Sequence, residues 1–230
     1  MVQENLQEVR KNIEEACKRA GRDPEEVTLI AVSKTKPVEM MREAMAIGQV
    51  DFGENKVQEI VRKSGEITEG VRWHMIGHLQ RNKVKQVVGL ADLIHSVDSL
   101  RLAETISNEA VKKEIQVPIL IEVNVAEEDS KFGITCEETL ELVRQIAALP
   151  NLKVKGLMTI APYVEDPEEN RPVFQRLKQL SVDIASKNID NVSMNALSMG
   201  MTGDYQVAVE EGATLVRVGT GIFGERDYSH

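Results

Sequence analysis

The chain has 230 residues and a formal net charge of -9 at pH 7, with acidic and basic residues interspersed along it. This length can bury a substantial core, as one large domain or two small ones. The lack of any basic run argues against nucleic acid as a partner, and no apolar run approaches the roughly 20 residues that a membrane helix needs. Cys17 and Cys136 form neither a disulfide framework nor a metal motif, and residues 1–10 are too polar for a secretory signal. These features predict a cytoplasmic protein.

The predicted elements begin with an amphipathic helix over residues 3–20, which Gly21 is expected to end. Short apolar, β-branched runs then predict eight buried strands, at 27–33, 50–52, 71–76, 92–97, 117–125, 153–160, 192–197 and 214–218. Helices are predicted between successive strands. Asp98 is expected to cap the helix after the fourth strand, and Thr135 with Glu138 forms a capping box for a later one.

This alternation of strands and helices predicts the fold class. Strands that are buried on both faces and joined through helices form parallel βαβ units. Eight such units predict a single (β/α)8 barrel of the TIM type over residues 1–230, with an extra helix in front. The alternative is an open doubly wound sheet, because periodicity alone does not prove closure.

In a barrel, the functional residues lie at the carboxyl ends of the strands. Lys34 follows the first strand, and Pro37 then favours the start of a helix. A lysine in this position can be a solvated rim charge, a contact for an anion, or an amine that condenses with an aldehyde. Asn55, after the second strand, is a further candidate at this end, as is Lys131 after the fifth, for which solvation at the rim is the default.

Two glycine-bearing loops follow the last two strands, where barrels often bind phosphate through backbone N–H groups. They comprise residues 198–203 and 219–221, in which Ser198 and Thr220 could add hydroxyl donors. Two ordinary turns are the alternative explanation. The segment 219–224 also fits the dinucleotide pattern GxGxxG, but the helix, strand and acidic residue which that pattern requires do not follow it.

Arg217 lies two residues before Gly219 and would face the same side of the last strand, with a salt bridge to a neighbouring strand as its alternative role. His74 and His78 lack further metal ligands, so no metal site is predicted. His74 and His95 are expected to be hydrogen-bonded core or rim residues. An amine, a phosphate loop and an arginine at one barrel mouth together suit pyridoxal phosphate (PLP).

Distinct sequence motifs follow one another along nearly the whole chain. They are Ala31-Val32-Ser33-Lys34-Thr35-Lys36-Pro37, Phe52-Gly53-Glu54-Asn55, Trp73-His74-Met75-Ile76-Gly77-His78-Leu79-Gln80, Ser130-Lys131-Phe132-Gly133-Ile134, Gly156-Leu157-Met158, Leu197-Ser198-Met199-Gly200-Met201, Val216-Arg217-Val218-Gly219-Thr220 and Phe223-Gly224-Glu225-Arg226-Asp227-Tyr228. With these motifs the chain resembles the pyridoxal-phosphate homeostasis protein family, which is related in fold to the N-terminal barrel of alanine racemase.

The resemblance implies a fold-type III barrel that holds PLP as an aldimine on the first lysine of Ser-Lys-Thr-Lys, which is Lys34. Strand parity alone does not choose between Lys34 and Lys36, because both would point the same way in an extended chain. The resemblance places the other cofactor contacts in the last loops and strand: Ser198, Met199 through its backbone, Gly219 and Thr220 at the phosphate, and Arg217 at the pyridine nitrogen. Asn55 and Gly200 complete the predicted cofactor-binding set.

Two functions of different class remain open. In the first, the protein buffers PLP without turnover and delivers it, with the apo forms of PLP-dependent enzymes as candidate recipients. In the second, it is an amino-acid racemase. Racemases resembling this fold add a β domain and use a tyrosine of a partner chain, whereas this sequence stops at His230 and offers Tyr163, Tyr205 and Tyr228. We therefore favour the carrier, as a monomer or weak dimer, over the racemase. A class I aldolase barrel explains the phosphate loops and the arginine less economically.

Overall fold

In the computed structural model, which describes residues 1–225, the strands form one closed barrel in sequence order. The strands are β1 (Thr28–Val32), β2 (Asp51–Glu54), β3 (Arg72–Met75), β4 (Leu93–Val97), β5 (Val117–Glu122), β6 (Leu152–Met158), β7 (Val192–Ser198) and β8 (Leu215–Val218). Because β1 pairs in parallel with both β2 and β8, the sheet has no free edge. The predicted barrel is therefore confirmed, and the open doubly wound sheet is wrong.

Helices surround this barrel. Within residues 1–225 they are α1 (Val2–Ala20), α2 (Val38–Met45), α3 (Val57–Glu66), α4 (Val84–Val87), α5 (Leu100–Lys112), α6 (Cys136–Ala147), α7 (Arg171–Ala185), α8 (Tyr205–Glu210) and α9 (Thr220–Phe223). None of these helices has the length and apolar character that a bilayer crossing demands. Short 3-10 turns at Pro24–Glu26, Arg81–Lys83 and Pro167–Asn170 complete the connections.

The extra helix α1 packs against α2, α8 and α9, and so connects the beginning of the chain to its end. Its apolar stripe is buried, and Gly21 ends the helix as predicted, in the left-handed conformation at φ 67°. Polar contacts extend the apolar ones, since the Asn12 side chain donates to the Tyr205 hydroxyl at 3.0 Å. The helix therefore completes the outer layer beside the last two βα units.

One of the predicted helix caps was wrong by one residue. The hydroxyl of Ser99 caps α5 by accepting from the Leu102 N–H at 3.2 Å. Asp98 instead accepts from the Gly133 N–H at 3.1 Å, in the loop after β5. Both residue types can cap a helix, and a contact from a distant loop decided between them. Thr135 caps α6 as predicted, because its hydroxyl accepts from the N–H of the third helical residue at 3.3 Å.

The interior of the barrel is unusually polar. Its apolar centre is a small cluster of Ile30, Leu120, Met158 and Leu215, whereas the main core lies between the sheet and the helices. Within residues 1–225, eight polar side chains are also buried in the strands: Asp51, Glu54, His74, His95, Ser96, Glu122, Ser198 and Arg217. Burying such groups is costly unless they are hydrogen-bonded, so their contacts determine how the barrel mouth is built.

Candidate ligand-binding site at the barrel mouth

A cavity of about 500 Å³ opens at the carboxyl end of the barrel. Four of the predicted site residues line it, namely Lys34, Arg217, Gly219 and Thr220. Its outer wall comes from residues 160–164 after β6 and 201–204 after β7. Barrel closure thus brings the first βα loop beside the last two, which is the arrangement that the predicted site requires.

Lys34 lies in a tight turn and not in an extended segment. The Lys36 N–H donates to the Ser33 carbonyl at 3.0 Å, and Thr35 between them is left-handed at φ 64°. The parity argument for Lys34 and Lys36 therefore does not apply. Lys34 lines the cavity, whereas Lys36 points away and donates to the Glu225 carbonyl at 2.8 Å.

A buried ion pair supports the backbone just before Lys34. The Lys63 ammonium, from α3, donates to the Ser33 carbonyl at 2.7 Å and to Glu54 Oε1 at 2.6 Å. The Ser33 hydroxyl donates to the same carboxylate oxygen at 2.6 Å. Burial raises the pKa of Glu54, while Lys63 opposes the shift. Ser33 is thus held by both its carbonyl and its side chain, which fixes the start of the lysine turn.

The sequence analysis missed this support. Lys63 lies three residues after Ile60, on the stripe of α3 that faces the barrel, and its side chain is fully buried. A lysine on the apolar stripe of an amphipathic helix is the pattern that could have indicated a buried partner. The partner itself, Glu54, belongs to β2 and could not be identified from the helix alone.

The last two loops bring residues with available backbone N–H groups to the cavity. Thr202, Gly203 and Thr220 line it, and their N–H groups donate to no acceptor within residues 1–225. Successive available N–H groups are the material of an anion-binding nest. The two loops therefore offer donors to an anionic group without any lysine or arginine from the loops themselves.

Arg217 is the buried cation of the site. Its guanidinium donates to the Ser198 hydroxyl at 2.5 Å and to the Thr159 carbonyl at 2.9 Å. Both acceptors are neutral, and within residues 1–225 no carboxylate pairs directly with the guanidinium, so hydrogen bonds solvate its charge. Burial lowers the pKa of Arg217 to about 10, against the influence of Glu122 and Asp204. The side chain therefore remains a charged donor at neutral pH.

The remaining predicted residues are not among those that line the cavity. Ser198 and Met199 are fully buried, and the Met199 N–H donates to the Leu215 carbonyl at 3.1 Å. The Gly200 carbonyl accepts from the Arg217 N–H at 2.9 Å. Asn55 is half-buried at the end of β2 and is not among the residues that line the cavity. Direct cofactor contacts from these residues stay predictions.

Lys131 also reaches the cavity. Its ammonium donates to the Ala161 carbonyl at 3.0 Å and pairs with Glu128 at 2.5 Å. Next to it, Phe132 stacks on His78, with ring centroids 3.8 Å apart and planes 7° from parallel. The loop after β5 is thus fixed to the rim through several contacts, and Lys131 is more than the solvated rim charge that was the default expectation.

Glu122 is the buried acid of the barrel mouth. It ends β5 with 4% of its surface exposed, and its Oε2 atom has no hydrogen-bond partner within residues 1–225. Burial, and then the neighbouring Asp98, raise the pKa of Glu122 to about 7, while Arg217 lowers it. This carboxyl can therefore gain or lose a proton near neutral pH.

Comparison with known proteins identifies the class. The family model described as "Alanine racemase, N-terminal domain" matches residues 5–227. The alanine racemase of Clostridium difficile superimposes with a TM-score of 0.77 over 99% of this chain and 57% of its own, but at 13% identity it shows the fold alone.

Two relatives are much more similar. A protein of Aquifex aeolicus named pyridoxal phosphate homeostasis protein is 46% identical over 98% of both chains. PipY of Synechococcus elongatus, solved with PLP bound, is 34% identical and has a TM-score of 0.85 over 97% of this chain and all of its own. The chain belongs to the pyridoxal phosphate homeostasis protein family, within the alanine racemase N-terminal domain class.

Proposed function

We propose that this protein binds PLP at the barrel mouth and takes part in intracellular PLP homeostasis as a buffer and donor of the cofactor. The observation that carries this proposal is one cavity that contains Lys34, available backbone N–H groups and Arg217. These groups match the aldehyde, the phosphate and the pyridine nitrogen of PLP. The structure of PipY with PLP bound supports PLP as the ligand.

Lys34 would supply a reversible covalent link. Its Nζ lone pair adds to the aldehyde carbon, and the carbonyl oxygen then leaves as water to form a C=N bond. The N–H groups of Thr202, Gly203 and Thr220 would bind the phosphate, and Arg217, which can only donate, would face an unprotonated ring nitrogen. Because hydrolysis reverses the link, the cofactor is masked while it is held and can be released intact.

A carrier without turnover fits the residues of the cavity better than a racemase does. A racemase of the two-base type needs a second acid/base on the other face of the ring. Tyr205 lies outside the barrel with its hydroxyl bonded to Asn12. Tyr163 reaches the cavity but is 96% exposed, so packing does not fix its hydroxyl. Tyr228 lies outside the described residues. The proposal accordingly includes a cytoplasmic location and apo PLP-dependent enzymes as recipients.

The covalent link is tested by absorption and mapping. The protein incubated with PLP should show a visible aldimine band that borohydride removes, and peptide mapping should find the reduced label on Lys34. Lys34→Ala should lose the band but keep weak phosphate-dependent binding. Lys36→Ala is the matched control, because it removes the neighbouring amine that points away from the cavity, and it should keep the band. A label confined to Lys36 would overturn the assignment.

The absence of turnover is tested separately. Racemisation of alanine by the PLP-loaded protein should not exceed the rate given by the same concentration of free PLP. Tyr163→Phe should leave that rate unchanged. Clear turnover in the wild-type protein that is lost in Tyr163→Phe would restore the racemase as the function.

A further inference from the structure

A continuous line of buried polar side chains crosses the barrel interior and ends at Arg217. Arg217 contacts the Ser198 hydroxyl, which lies 2.9 Å from His95 Nδ1. His95 Nε2 lies 2.9 Å from His74 Nδ1, and His74 Nε2 lies 2.9 Å from Asp51 Oδ1. The line joins β8, β7, β4, β3 and β2, so it crosses between strands that are not neighbours in the sheet.

The far end of this line is anchored at the opposite rim of the barrel. Asp51 and Arg72 begin neighbouring strands, and the Arg72 guanidinium donates to both carboxylate oxygens of Asp51, at 2.9 and 2.7 Å. A bidentate pair of this kind fixes the plane of the carboxylate. Asp51 and His74 also line a second cavity, of about 530 Å³, at this end. The line therefore spans the interior from one mouth to the other.

The donor and acceptor of every bond in the line follow from chemistry. A guanidinium can only donate, so the Ser198 oxygen accepts from Arg217 and the hydroxyl hydrogen is left for His95 Nδ1. Nδ1 of His95 must then be unprotonated, and its proton sits on Nε2. That N–H donates to Nδ1 of His74, whose own Nε2–H donates to Asp51. The hydrogen bonds thus assign one tautomer to both imidazoles, with the proton on Nε2 and Nδ1 as the acceptor.

Hydrogen-bond donation in the opposite direction is unfavourable at both ends of the line. Asp51 is an acceptor when ionised, and Arg217 is a donor in every state. A proton added to His95 Nδ1 would leave the Ser198 hydroxyl hydrogen without an acceptor and would place a second cation beside Arg217. The charged or titratable groups that face His95 are His74 on β3 and Arg217 on β8, and Asp51 lies beyond His74 on β2. Burial, His74 and Arg217 all lower the pKa of His95.

We propose that His95 and Ser198 are positioning residues for Arg217. In this proposal Asp51, acting through His74, sets the direction in which the hydrogen bonds of the line are donated. The Ser198 oxygen accepts from the guanidinium in a fixed orientation because the Ser198 hydroxyl hydrogen is donated to His95. This role rests on the proposed function in one respect, which is that Arg217 faces the bound cofactor. It assigns to Ser198 an orienting task behind the cavity, distinct from the phosphate contact that the sequence predicts.

The tautomers can be measured without any cofactor. In protein labelled with nitrogen-15 histidine at pH 7, His74 and His95 should both show a protonated Nε2 and an unprotonated Nδ1. Signals are assigned with His74→Gln, His95→Gln and the control His78→Gln, which alters a rim residue outside the line. A cationic His95, or a protonated Nδ1 on either residue, would overturn the proposal whatever the protein binds.

The action through Arg217 is tested by a double-mutant cycle with PLP. Ser198→Ala should weaken PLP binding about tenfold, the effect of one lost hydrogen bond, and Ser198→Thr should restore it. In an Arg217→Met background, Ser198→Ala and His95→Leu should cause no further loss, because their effect operates through the arginine. Equal losses in both backgrounds would show a merely structural role and overturn the proposal. If the wild-type protein bound no PLP, the proposed function would fail, and the tautomer measurement would still decide the arrangement of the line.

Discussion

The Lys63 ammonium lies 2.6 Å from the Glu54 carboxylate, and neither side chain has any exposed surface. Removing one partner of a buried pair leaves the other charge unpaired, which costs about 3–5 kcal/mol. We expect Lys63→Met to lower the free energy of unfolding by that amount in urea denaturation. Because Lys63 also holds Ser33, the variant should form the Lys34–PLP band more slowly.

The matched control lies on the same helix. Arg62 pairs with Glu66 at 3.0 Å, but these side chains are 55% and 47% exposed. An exposed pair of this kind contributes less than about 1 kcal/mol, so Arg62→Met should change stability little. Equal losses from Arg62→Met and Lys63→Met would contradict the importance of the buried pair.

Two neighbouring glycines should respond differently to the same substitution. Gly200 is left-handed at φ 98°, and a Cβ there would lie 2.6 Å from the Cβ of Ala208. Gly203 has an open surrounding, with nothing within 4 Å of such a Cβ. Gly200→Ala should destabilise the protein by about 1–3 kcal/mol, whereas Gly203→Ala should lie within about 0.5 kcal/mol of wild type. Thermal unfolding measures both, and equal melting temperatures would refute the expectation.

Asp51 should make the stability depend on pH in the acid range. Burial alone would raise its pKa, but hydrogen bonds from His74 and Arg72 outweigh this and lower the pKa to about 2. In the unfolded chain the value is about 3.9, so ionised Asp51 stabilises the fold above about pH 4 and loses this effect as the pH falls through the folded value. The stability difference between wild type and Asp51→Asn should therefore shrink from pH 5 to pH 2. A constant difference would argue against the pair.

Glu122 should produce the opposite dependence at higher pH. Burial, and then Asp98, raise its folded pKa to about 7, above the unfolded value of about 4.3. The stabilisation is complete below the unfolded value and disappears as the pH rises through the folded one. Glu122→Gln, which cannot ionise, should gain up to about 3 kcal/mol on wild type between pH 5 and pH 8. The exposed Glu127→Gln is the control, and a gain equal to that of the control would reject the burial argument.

Local sequence patterns predicted the barrel because each βα unit carries its own evidence. The apolar runs and the periodicity between them are properties of neighbouring residues, and eight repeats of the unit made closure the favoured outcome. The N-terminal cap of α5 shows a feature that local sequence does not determine. Ser99 and Asp98 are both good caps, and the loop after β5 occupied the second of them.

The site was predictable in its cavity residues but not in its supports. Lys34, Arg217, Gly219 and Thr220 follow or end strands at one rim, and this is readable from the order of elements. The Lys34 turn was not, because the left-handed Thr35 removes the extended geometry that parity assumes. The contacts of Ser198 were also hidden, since His95 is separated from it by 103 residues and meets it only inside the closed barrel.

The line of hydrogen bonds from Asp51 to Arg217 also limits which amino-acid substitutions this chain can accept during evolution. Replacing one member alone leaves the next with a buried donor or acceptor that has lost its partner. Substitutions at the positions of this line are therefore expected to occur together. Relatives that lack the histidine equivalent to His95 are expected to differ at Ser198 or His74 as well, although these positions lie far apart in the sequence.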